Sequence, residues 1–368
     1  MSQALATRIE NLQDLCIARL RDAFDPRSGR FARQVCDAAW VPMTGPETLA
    51  GTAICLIGLG RAGIPPRAVL PDAAGLCRRL AAAIRDEAQP GAVGLVLWAN
   101  SAVRALAPLS LLAEAGFAPE ELDLALPGMT TTEVAWLATG LLHAGVPALR
   151  PATIAALREL ESRLDRRTLL FAHASAAAPL RLRLRRRIAG FGDQAFAVQA
   201  LAFAATVLGD PERRLLADRV GSRMVAAQGP LGQWWAQHDS GGGEVAERYP
   251  ALSVQQHSIG PMALRALALA GGRTHAAAAA GSRAWLHANE LGLDLVEPSS
   301  GIIWGGLGRG EGPTARRLRQ ARLLAGLPAP DLVAPRLTLL QEMLPREWGW
   351  LLYASALEGG GRPAGHIL

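Results

Sequence analysis

The sequence contains no lysine, only four cysteines and few aromatic residues. All 38 basic residues among its 368 are arginine, and aromatic side chains make up 5% of the chain. Charged residues account for 19% and hydrophobic residues for 50%, whereas an average soluble protein has about 25% charged residues. So little charge beside so much apolar surface excludes a disordered chain and predicts a large buried core.

The positive net charge of +6 points to anionic partners, but its pattern does not favour nucleic acid. The densest basic cluster runs from Arg181 to Arg187 in PLRLRLRRRIAG and has no aromatic residue within it. Surfaces that bind single-stranded RNA interleave basic with aromatic side chains. The cluster is therefore either a solvated charged face or a site for an anionic sugar, a phosphate or a membrane surface. No nucleic-acid partner is expected.

The four cysteines lie in the first quarter of the chain without a CxxC motif or a Cys/His metal spacing. Buried free thiols in a reducing compartment are the simplest interpretation. The N-terminus lacks the basic-then-apolar order of a signal peptide. The longest apolar run, about residues 49–60, is too short to span a bilayer. We therefore predict a cytoplasmic protein with no transmembrane segment, no metal and no cofactor.

A helix-terminating motif occurs twice. Residues 58–65 and 140–147 both fit GLxxAG[IV]P, and each follows an apolar, helix-like run. Glycine adopts the left-handed conformation that ends a helix, and the proline beyond it cannot continue one. Weaker copies (LGDP, AGG and AGLP) follow at residues 208–211, 270–272 and 325–328. The two motifs are separated by about two helical hairpins of about 40 residues, which predicts a helical repeat.

The runs between these stops have helical periodicity. Several, such as QAFAVQALAFAATVL and WGWLLYASAL, are apolar nearly all round, which is typical of helices buried on both sides. Amphipathic runs alternate with them, and strand signals are scarce. The pattern predicts an all-α fold, an (α/α)6-type toroid of six or seven hairpins in one domain over residues 1–368, with an open solenoid as the competing arrangement. We place the N-terminal helix, about residues 1–24, in the outer ring, and expect residues 359–368 to form a flexible tail.

One polar segment, residues 228–264, interrupts the helices. It contains two tryptophans, one of the two tyrosines, two histidines, an aspartate and two glutamates. Three glycines at 241–243 predict a flexible turn, and the next inner helix is predicted to begin near Ser258 to Pro261. Because loops of a toroid converge on the barrel opening, this polar density predicts a functional site there.

The segment resembles two families with toroid folds. Gln228, Gly232 and Trp234 match QxxxGxW, the QW motif of squalene-cyclase-like terpenoid cyclases, which close an apolar cavity around an isoprenoid. Gly232, Trp234 and Asp239 match GxWxxxxD and are similar to the unsaturated glucuronyl hydrolases and other six-hairpin glycosidases. In those enzymes the aspartate is the acid/base residue and the toroid holds an acidic sugar. The segment also resembles a group of bacterial toroid proteins from polysaccharide loci, and the likeness is specific only over roughly residues 190–265.

Three functions follow from these resemblances. The main prediction is a carbohydrate-active enzyme, a hydrolase or lyase-like protein, acting on an acidic or polysaccharide-derived sugar. A terpenoid-cyclase-like or prenyltransferase-like enzyme is the first alternative, although DxDD, DDxxD and Cys/His zinc ligands are all missing and the QW motif occurs once. QxxxGxW could then be only a brace between two helices. The second alternative is a non-catalytic toroid that binds a partner or a glycan.

Four residues are the candidate acids and bases. Asp239 follows two tryptophans, whose apolar surface is expected to raise its pKa and so retain a proton for the leaving oxygen. Its alternative role is to cap the glycine-rich turn. Glu247 is a second carboxylate or the ion-pair partner of Arg248. Asp193 is a site acid or a helix N-cap, and His257 is a general base or a buried structural histidine.

The candidate substrate-binding residues carry aromatic rings or amides. Tryptophan faces suit both sugar rings and cations, so they do not separate the two enzyme predictions. The predicted ligand is a small molecule or an oligosaccharide, and its candidate contacts are Trp234, Trp235, Tyr249, Gln194 and Gln256.

Overall fold

Helices make up most of the structure. The computed structural model describes residues 3–248, 251–297, 302–325, 327, 336–358 and 367. The helices are α1 (Gln3–Ala23), α2 (Glu47–Arg61), α3 (Ala73–Asp86), α4 (Val93–Val103), α5 (Pro108–Glu114), α6 (Leu122–Ala125), α7 (Thr131–Ala144), α8 (Arg150–Ser162), α9 (Leu180–Arg183), α10 (Phe191–Leu208), α11 (Pro211–Ala226), α12 (Val254–Leu269), α13 (Ala276–Trp285), α14 (Pro313–Leu324) and α15 (Pro345–Glu358).

Six of these helices form a closed inner ring. In order around the ring they are α2, α4, α7, α10, α12 and α15, and α15 packs against α2 to close it. Outside them, α1 packs against α15, α3 against α4, α8 against α7, α11 against α10 and α13 against α12. The alternation of apolar and amphipathic runs therefore confirms the predicted (α/α)6 toroid with α1 on the outside, and the closed ring excludes an open solenoid. The single domain over residues 1–368 stays a prediction.

Small residues let neighbouring inner helices approach closely. A Cβ atom added to Gly94 of α4 would lie 2.2 Å from the backbone nitrogen of Leu137 in α7. One added to Gly140 of α7 would lie 2.3 Å from the Gly94 carbonyl oxygen. The two helices thus pack backbone against backbone, and any larger residue at these positions would separate them.

The repeated motif ends helices as predicted. Gly63 and Gly145 follow α2 and α7 with φ of +68° and +62°, and the Gly145 N–H donates to the Leu141 carbonyl at 3.2 Å. Gly209 and Gly271 end α10 and α12 in the same conformation. Part of the AGLP copy lies outside the described residues.

The connections that lead into four inner helices, α2, α10, α12 and α15, are long and contain the strands. These are β1 (Phe24–Asp25), β2 (Arg30–Phe31), β3 (Arg33–Cys36), β4 (Ala39–Pro42), β5 (Leu164–Asp165), β6 (Leu170–Phe171), β7 (Ile188–Gly190), β8 (Gln237–Asp239), β9 (Val245–Glu247), β10 (Ala251–Ser253), β11 (Val296–Glu297), β12 (Ile302–Ile303), β13 (Gly306–Arg309), β14 (Leu337–Leu340) and β15 (Glu342–Met343). They pair antiparallel in three-stranded sheets β7-β8-β9, β10-β13-β14 and β15-β3-β4, and in hairpins β1-β2, β5-β6 and β11-β12. The connections out of the inner helices are short. The long loops therefore cover the end of the barrel where inner helices begin, which we call the mouth.

Below the mouth, aromatic rings fill the barrel lumen. Trp98 of α4 contacts Trp350 and Tyr353 of α15 at ring-centroid distances of 5.7 and 5.5 Å, and Phe203 of α10 at 6.3 Å. All four side chains are buried. Because rings from three alternate helices of the ring meet, the lumen at this depth is part of the hydrophobic core.

Helix α12 begins earlier than predicted. It starts at Val254 rather than near Ser258 to Pro261, so Pro261 lies inside the helix. Proline has no N–H to donate to the carbonyl four residues back, which here belongs to His257. The hydroxyl of Ser282 in α13 lies 3.3 Å from that carbonyl oxygen and supplies a donor. A neighbouring helix therefore satisfies the group that the proline leaves unpaired.

Three other predictions have mixed outcomes. The four cysteines are free, and Cys16, Cys55 and Cys77 are buried. Among the described helices, α10 alone has the length and hydropathy of a membrane span, but 72% of its apolar window is buried within the ring. The predicted flexible tail lies outside the described residues except for Ile367, and the cytoplasmic location stays a prediction.

Candidate active site at the barrel mouth

Three inner helices carry a carboxylate at the same position of their first turn. Each accepts a hydrogen bond from the backbone N–H three residues earlier, at 2.6 to 2.8 Å, and so caps its own helix. Three residues later an aromatic side chain follows on the same helix face. These pairs are Glu133 and Trp136 in α7, Asp193 and Phe196 in α10, and Glu347 and Trp350 in α15. Since Phe196 and Trp350 meet in the lumen at 5.2 Å, the carboxylates one turn above lie at the mouth.

Asp193 forms a pair with His173, which belongs to the loop before β7. The Nδ1 atom of His173 lies 2.9 Å from Oδ2 of Asp193. The backbone N–H and hydroxyl of Thr132 donate to the other oxygen at 3.0 and 2.8 Å. The Asp193 carboxylate can only accept a hydrogen bond from Nδ1, so in the neutral imidazole of His173 the hydrogen lies on Nδ1. Nε2 is then the nitrogen that can accept a proton. The His173 side chain is 17% exposed, so this base remains in contact with solvent.

A pocket of about 410 Å³ opens at the start of α7, where the next residues, Thr131 and Thr132, hydrogen-bond to His173 and Asp193. Its lining includes Thr130, Glu133 and Trp136 from the start of α7, Gly91 from the turn before α4, and Arg181 from α9. A Cβ atom on Gly91 would lie 1.9 Å from Oε1 of Glu133, so the carboxylate rests against bare backbone. The pocket thus combines a carboxylate, an indole ring and a guanidinium, and the histidine–aspartate pair contacts the same first turn of α7 without lining the pocket.

Glu347 has a strongly perturbed carboxyl group. It is 6% exposed, and burial raises its pKa to about 7 despite the Leu344 N–H that favours the charged form. The group is therefore protonated in a large fraction of molecules near neutral pH. Perturbed titrating groups of this kind are concentrated at functional sites.

Asp239 has a different environment from the one predicted. Its carboxylate pairs with the Arg187 guanidinium at 2.7 Å and accepts the Gly241 N–H at 2.9 Å, capping the glycine-rich turn. Burial alone would raise the pKa of this carboxyl, but the hydrogen bonds and the charge of Arg187 outweigh it and lower the pKa. The expectation of a raised pKa is therefore wrong, because the neighbouring tryptophans are turned into the core and a guanidinium and backbone N–H groups face the carboxylate.

Glu247 and His257 are both buried in structural contacts. Glu247 pairs with Arg319 of α14, and not with Arg248 as the alternative supposed. His257 stacks on Trp285 at 3.9 Å, and its Nδ1 donates to the Ser282 carbonyl at 2.9 Å. Burial lowers the pKa of His257 to about 3, which keeps it neutral. Each of the four predicted acid/base residues thus has its own set of partners.

The predicted binding residues divide between structural roles and undescribed positions. The Gln194 amide donates to the Phe171 carbonyl at 2.9 Å and accepts the Phe171 N–H at 2.8 Å, which holds β6 against α10. Gln256 is 9% exposed. Trp235 is buried, and the Arg248 guanidinium lies 5.6 Å from its ring centre. Tyr249 lies outside the described residues.

The QxxxGxW residues brace the loop before β8 against α13. Gln228 donates to the carbonyls of Gly232 and Ala278 at 2.9 and 3.0 Å. The Trp234 indole N–H donates to the Ser282 hydroxyl at 2.8 Å. Gly232 has φ of +87° and touches the backbone of α13, so no side chain fits there. These contacts are the helix brace that the sequence offered as the alternative to a cyclase motif.

Sequence reasoning missed His173, Glu133, Trp136 and Glu347. A usable signal was present, since an acidic residue recurs three positions before an aromatic at the start of three apolar runs. His173 carries no local motif, because its partner Asp193 lies 20 residues away. Across the described ranges, His, Cys, Asp and Glu side chains form no cluster of three that could hold a metal ion.

Neither a protein-family model nor a curated protein matches this chain. Solved structures do match over nearly its full length. An unsaturated glucuronyl hydrolase of Bacillus sp. GL1 aligns with a TM-score of 0.59 and 13% identity over 97% of both chains. A sugar epimerase from a ruminal bacterium gives 0.64 and 11% over 97% of this chain and 100% of its own, and an unsaturated glucuronyl hydrolase specific for heparin gives 0.58 and 12% over 95% and 96%. The chain has their toroid fold. The resemblance to six-hairpin glycosidases is thus confirmed for the fold, while the resemblance to terpenoid cyclases stays a prediction.

Proposed function

We propose that this toroid is a carbohydrate-active enzyme that binds a sugar in the mouth pocket and transfers protons through His173. The observation that carries the proposal is that the first turn of α7 holds the His173–Asp193 pair through Thr132 and also lines a pocket with Glu133 and Trp136. The three toroid enzymes named above act on sugars according to their names, which supports the assignment.

The histidine–aspartate pair supplies the proton transfer. With Nδ1–H held by Asp193, Nε2 accepts a proton from water, a sugar hydroxyl or an acidic C–H group of the substrate. The Asp193 carboxylate then stabilises the imidazolium that forms. This chemistry serves a hydrolase or a lyase, and equally an epimerase that moves a carbon-bound proton.

The pocket fits a sugar with an acidic group. The Trp136 ring offers an apolar face for a sugar ring, and the Arg181 guanidinium offers donors to a carboxylate or sulfate. A volume of about 410 Å³ lies within the usual range of small-molecule sites. An acidic sugar of one or two rings is therefore the proposed substrate class.

The alternatives receive less support. A cyclase needs a hollow apolar lumen, whereas here rings from α4, α10 and α15 fill it. A non-catalytic toroid would be favoured if arginines neutralised the mouth carboxylates. Asp239 and Glu247 are neutralised in this way, but Asp193 is bound by His173 and Thr132 instead.

A binding and turnover assay tests the proposal. Purified protein is screened by thermal shift against uronic-acid and neutral oligosaccharides, with isoprenoid diphosphates as the comparison arm. Any sugar that raises the unfolding temperature is then assayed for turnover by mass spectrometry. We expect His173→Gln to lower kcat by about 10²–10⁴-fold, the usual contribution of a general acid or base.

A second histidine–aspartate pair provides the matched control. His287 Nδ1 lies 2.9 Å from Asp294 on the outer side of the ring, so His287→Gln removes a similar pair and should leave turnover unchanged. Asp239→Asn distinguishes the GxWxxxxD hypothesis, since it should lose activity only if that aspartate is the acid. Full activity in His173→Gln, or a shift only with isoprenoids, would overturn the proposal.

A further inference from the structure

A basic and apolar projection borders the mouth. Helix α9 and the turn after it carry two exposed leucines, Leu180 and Leu184, with 62% and 65% of their surfaces accessible. Four exposed arginines alternate with them or follow them directly. We call this group the Arg–Leu patch: Leu180, Arg181, Arg183, Leu184, Arg185 and Arg186.

The charge of the patch is of one sign and unpaired. Residues 166–192 contain seven arginines and no aspartate or glutamate. In the part of the chain that the structure describes, the guanidiniums of Arg181, Arg183, Arg185 and Arg186 have no ion pair, whereas the next residue, Arg187, is paired with Asp239. An ordinary solvated face intersperses both signs of charge, whereas this stretch carries one sign and has two exposed leucines among its arginines. The patch therefore has the features of a docking surface.

We propose that the Arg–Leu patch binds the surface of an anionic lipid bilayer. Guanidiniums attract anionic headgroups, and leucines between them enter the boundary between headgroups and acyl chains. An acidic polysaccharide would satisfy the arginines but would give the two leucines no apolar partner. The combination of unpaired positive charge with exposed leucines thus favours a membrane over a soluble polyanion.

The patch is connected directly to the candidate site. Arg181 and Leu182 line the mouth pocket. The backbone N–H of His173 donates to the Arg186 carbonyl at 2.8 Å. The patch is therefore hydrogen-bonded to the loop that carries the proposed base. A bilayer bound at the patch would therefore face the mouth. Together with the proposed function, on which this step rests, the geometry points to a sugar presented at a membrane surface.

Vesicle co-sedimentation tests the patch without any assay of activity. The full chain is mixed with vesicles of phosphatidylcholine alone or with 30% phosphatidylglycerol. We expect binding only to the anionic vesicles, and loss of it in high salt. Arg183→Gln with Arg185→Gln should weaken binding about 25-fold, because each basic residue near the surface contributes a factor of about five. Leu180→Ser with Leu184→Ser should also weaken it, which a purely electrostatic contact would not show.

Helix α14 supplies a matched control. It exposes Arg316, Arg317 and Leu318, the last with 64% of its surface accessible. Replacing these three by Gln, Gln and Ser should leave vesicle binding unchanged, and circular dichroism checks that every variant is folded. Equal binding to neutral vesicles, an equal loss in the α14 variant, or binding of polygalacturonate but not of vesicles would overturn the membrane proposal. None of these results depends on whether His173 is catalytic.

Discussion

Glu347→Gln is expected to stabilise the protein in a strongly pH-dependent way. The carboxyl group lies in the first turn of α15, is 6% exposed and accepts the Leu344 N–H at 2.8 Å. Burial raises its pKa from 4.5 to about 7. Glutamine has the same shape, retains an acceptor for the Leu344 N–H and does not ionise.

The magnitude follows from the two pKa values. Between pH 4.5 and 7 the folded protein binds more protons than the unfolded chain, so its stability falls as the pH rises through this range. A shift of 2.5 units is worth about 3 kcal/mol at 1.36 kcal/mol per unit. Because glutamine does not ionise, the Glu347→Gln variant does not lose this stability as the pH rises. Its free energy of unfolding relative to wild type should therefore rise by about 2–3 kcal/mol from pH 5 to pH 8.

Urea unfolding at the two pH values, followed by tryptophan fluorescence, measures this difference. Glu212→Gln is the control, because it removes an exposed carboxylate from the first turn of an outer helix, α11. If the stability of Glu347→Gln relative to wild type is the same at pH 5 and pH 8, the carboxyl ionises normally. The assignment of a buried, protonated acid at the mouth would then be refuted.

Three further predictions concern the framework around the site. Burial lowers the pKa of His257 to about 3. Because the unfolded chain binds a proton that the folded state excludes, the free energy of unfolding falls by about 2 kcal/mol between pH 7.5 and pH 5 through this residue. The free energy of unfolding of His257→Asn should fall less towards acid pH, and an unchanged fall would contradict the buried neutral ring. Gly94→Ala should destabilise the protein by about 3 kcal/mol or more in urea, because its Cβ would lie 2.2 Å from the Leu137 nitrogen, whereas Gly128→Ala has open space and should be nearly neutral. Gln194→Leu leaves a buried backbone N–H and C=O unpaired and should lower the unfolding free energy by about 2–6 kcal/mol; a loss below 1 kcal/mol would mean that water replaces the amide.

The ring could be predicted from sequence because its determinants are local. Left-handed glycines such as Gly63 and Gly145 end helices within a few residues of the chain, and a helix that is apolar all round has to be buried on both sides. The predicted start of α12 near Ser258 to Pro261 is wrong because the true start depends on a distant contact. Pro261 lies inside the helix, and a hydroxyl on another helix, Ser282, compensates its missing donor. No local pattern contains that information.

The site could be predicted only in part because polar density does not reveal partners. The segment around Asp239 is rich in acids and aromatics, yet its acids are neutralised by Arg187 and Arg319, which lie 52 and 72 residues away in sequence. Asp193 was identified from its position at a helix start. Its partner His173 is brought to it by the loop that also carries β6 and β7. Long-range pairing of this kind depends on the folded topology.

At the mouth, a first-turn carboxylate of an inner helix, Glu133, lines an open pocket. Deeper in the barrel, Trp98, Trp350 and Phe203 contact one another, and the short connections lie at the opposite end. In α7, α10 and α15 the first-turn acid caps its own helix, which fixes one of its two carboxylate oxygens. The capping that closes each inner helix thus also preorganises a carboxylate at the mouth. In the proposed mechanism, one histidine from a neighbouring loop, His173, makes the capping Asp193 half of a proton-transfer pair.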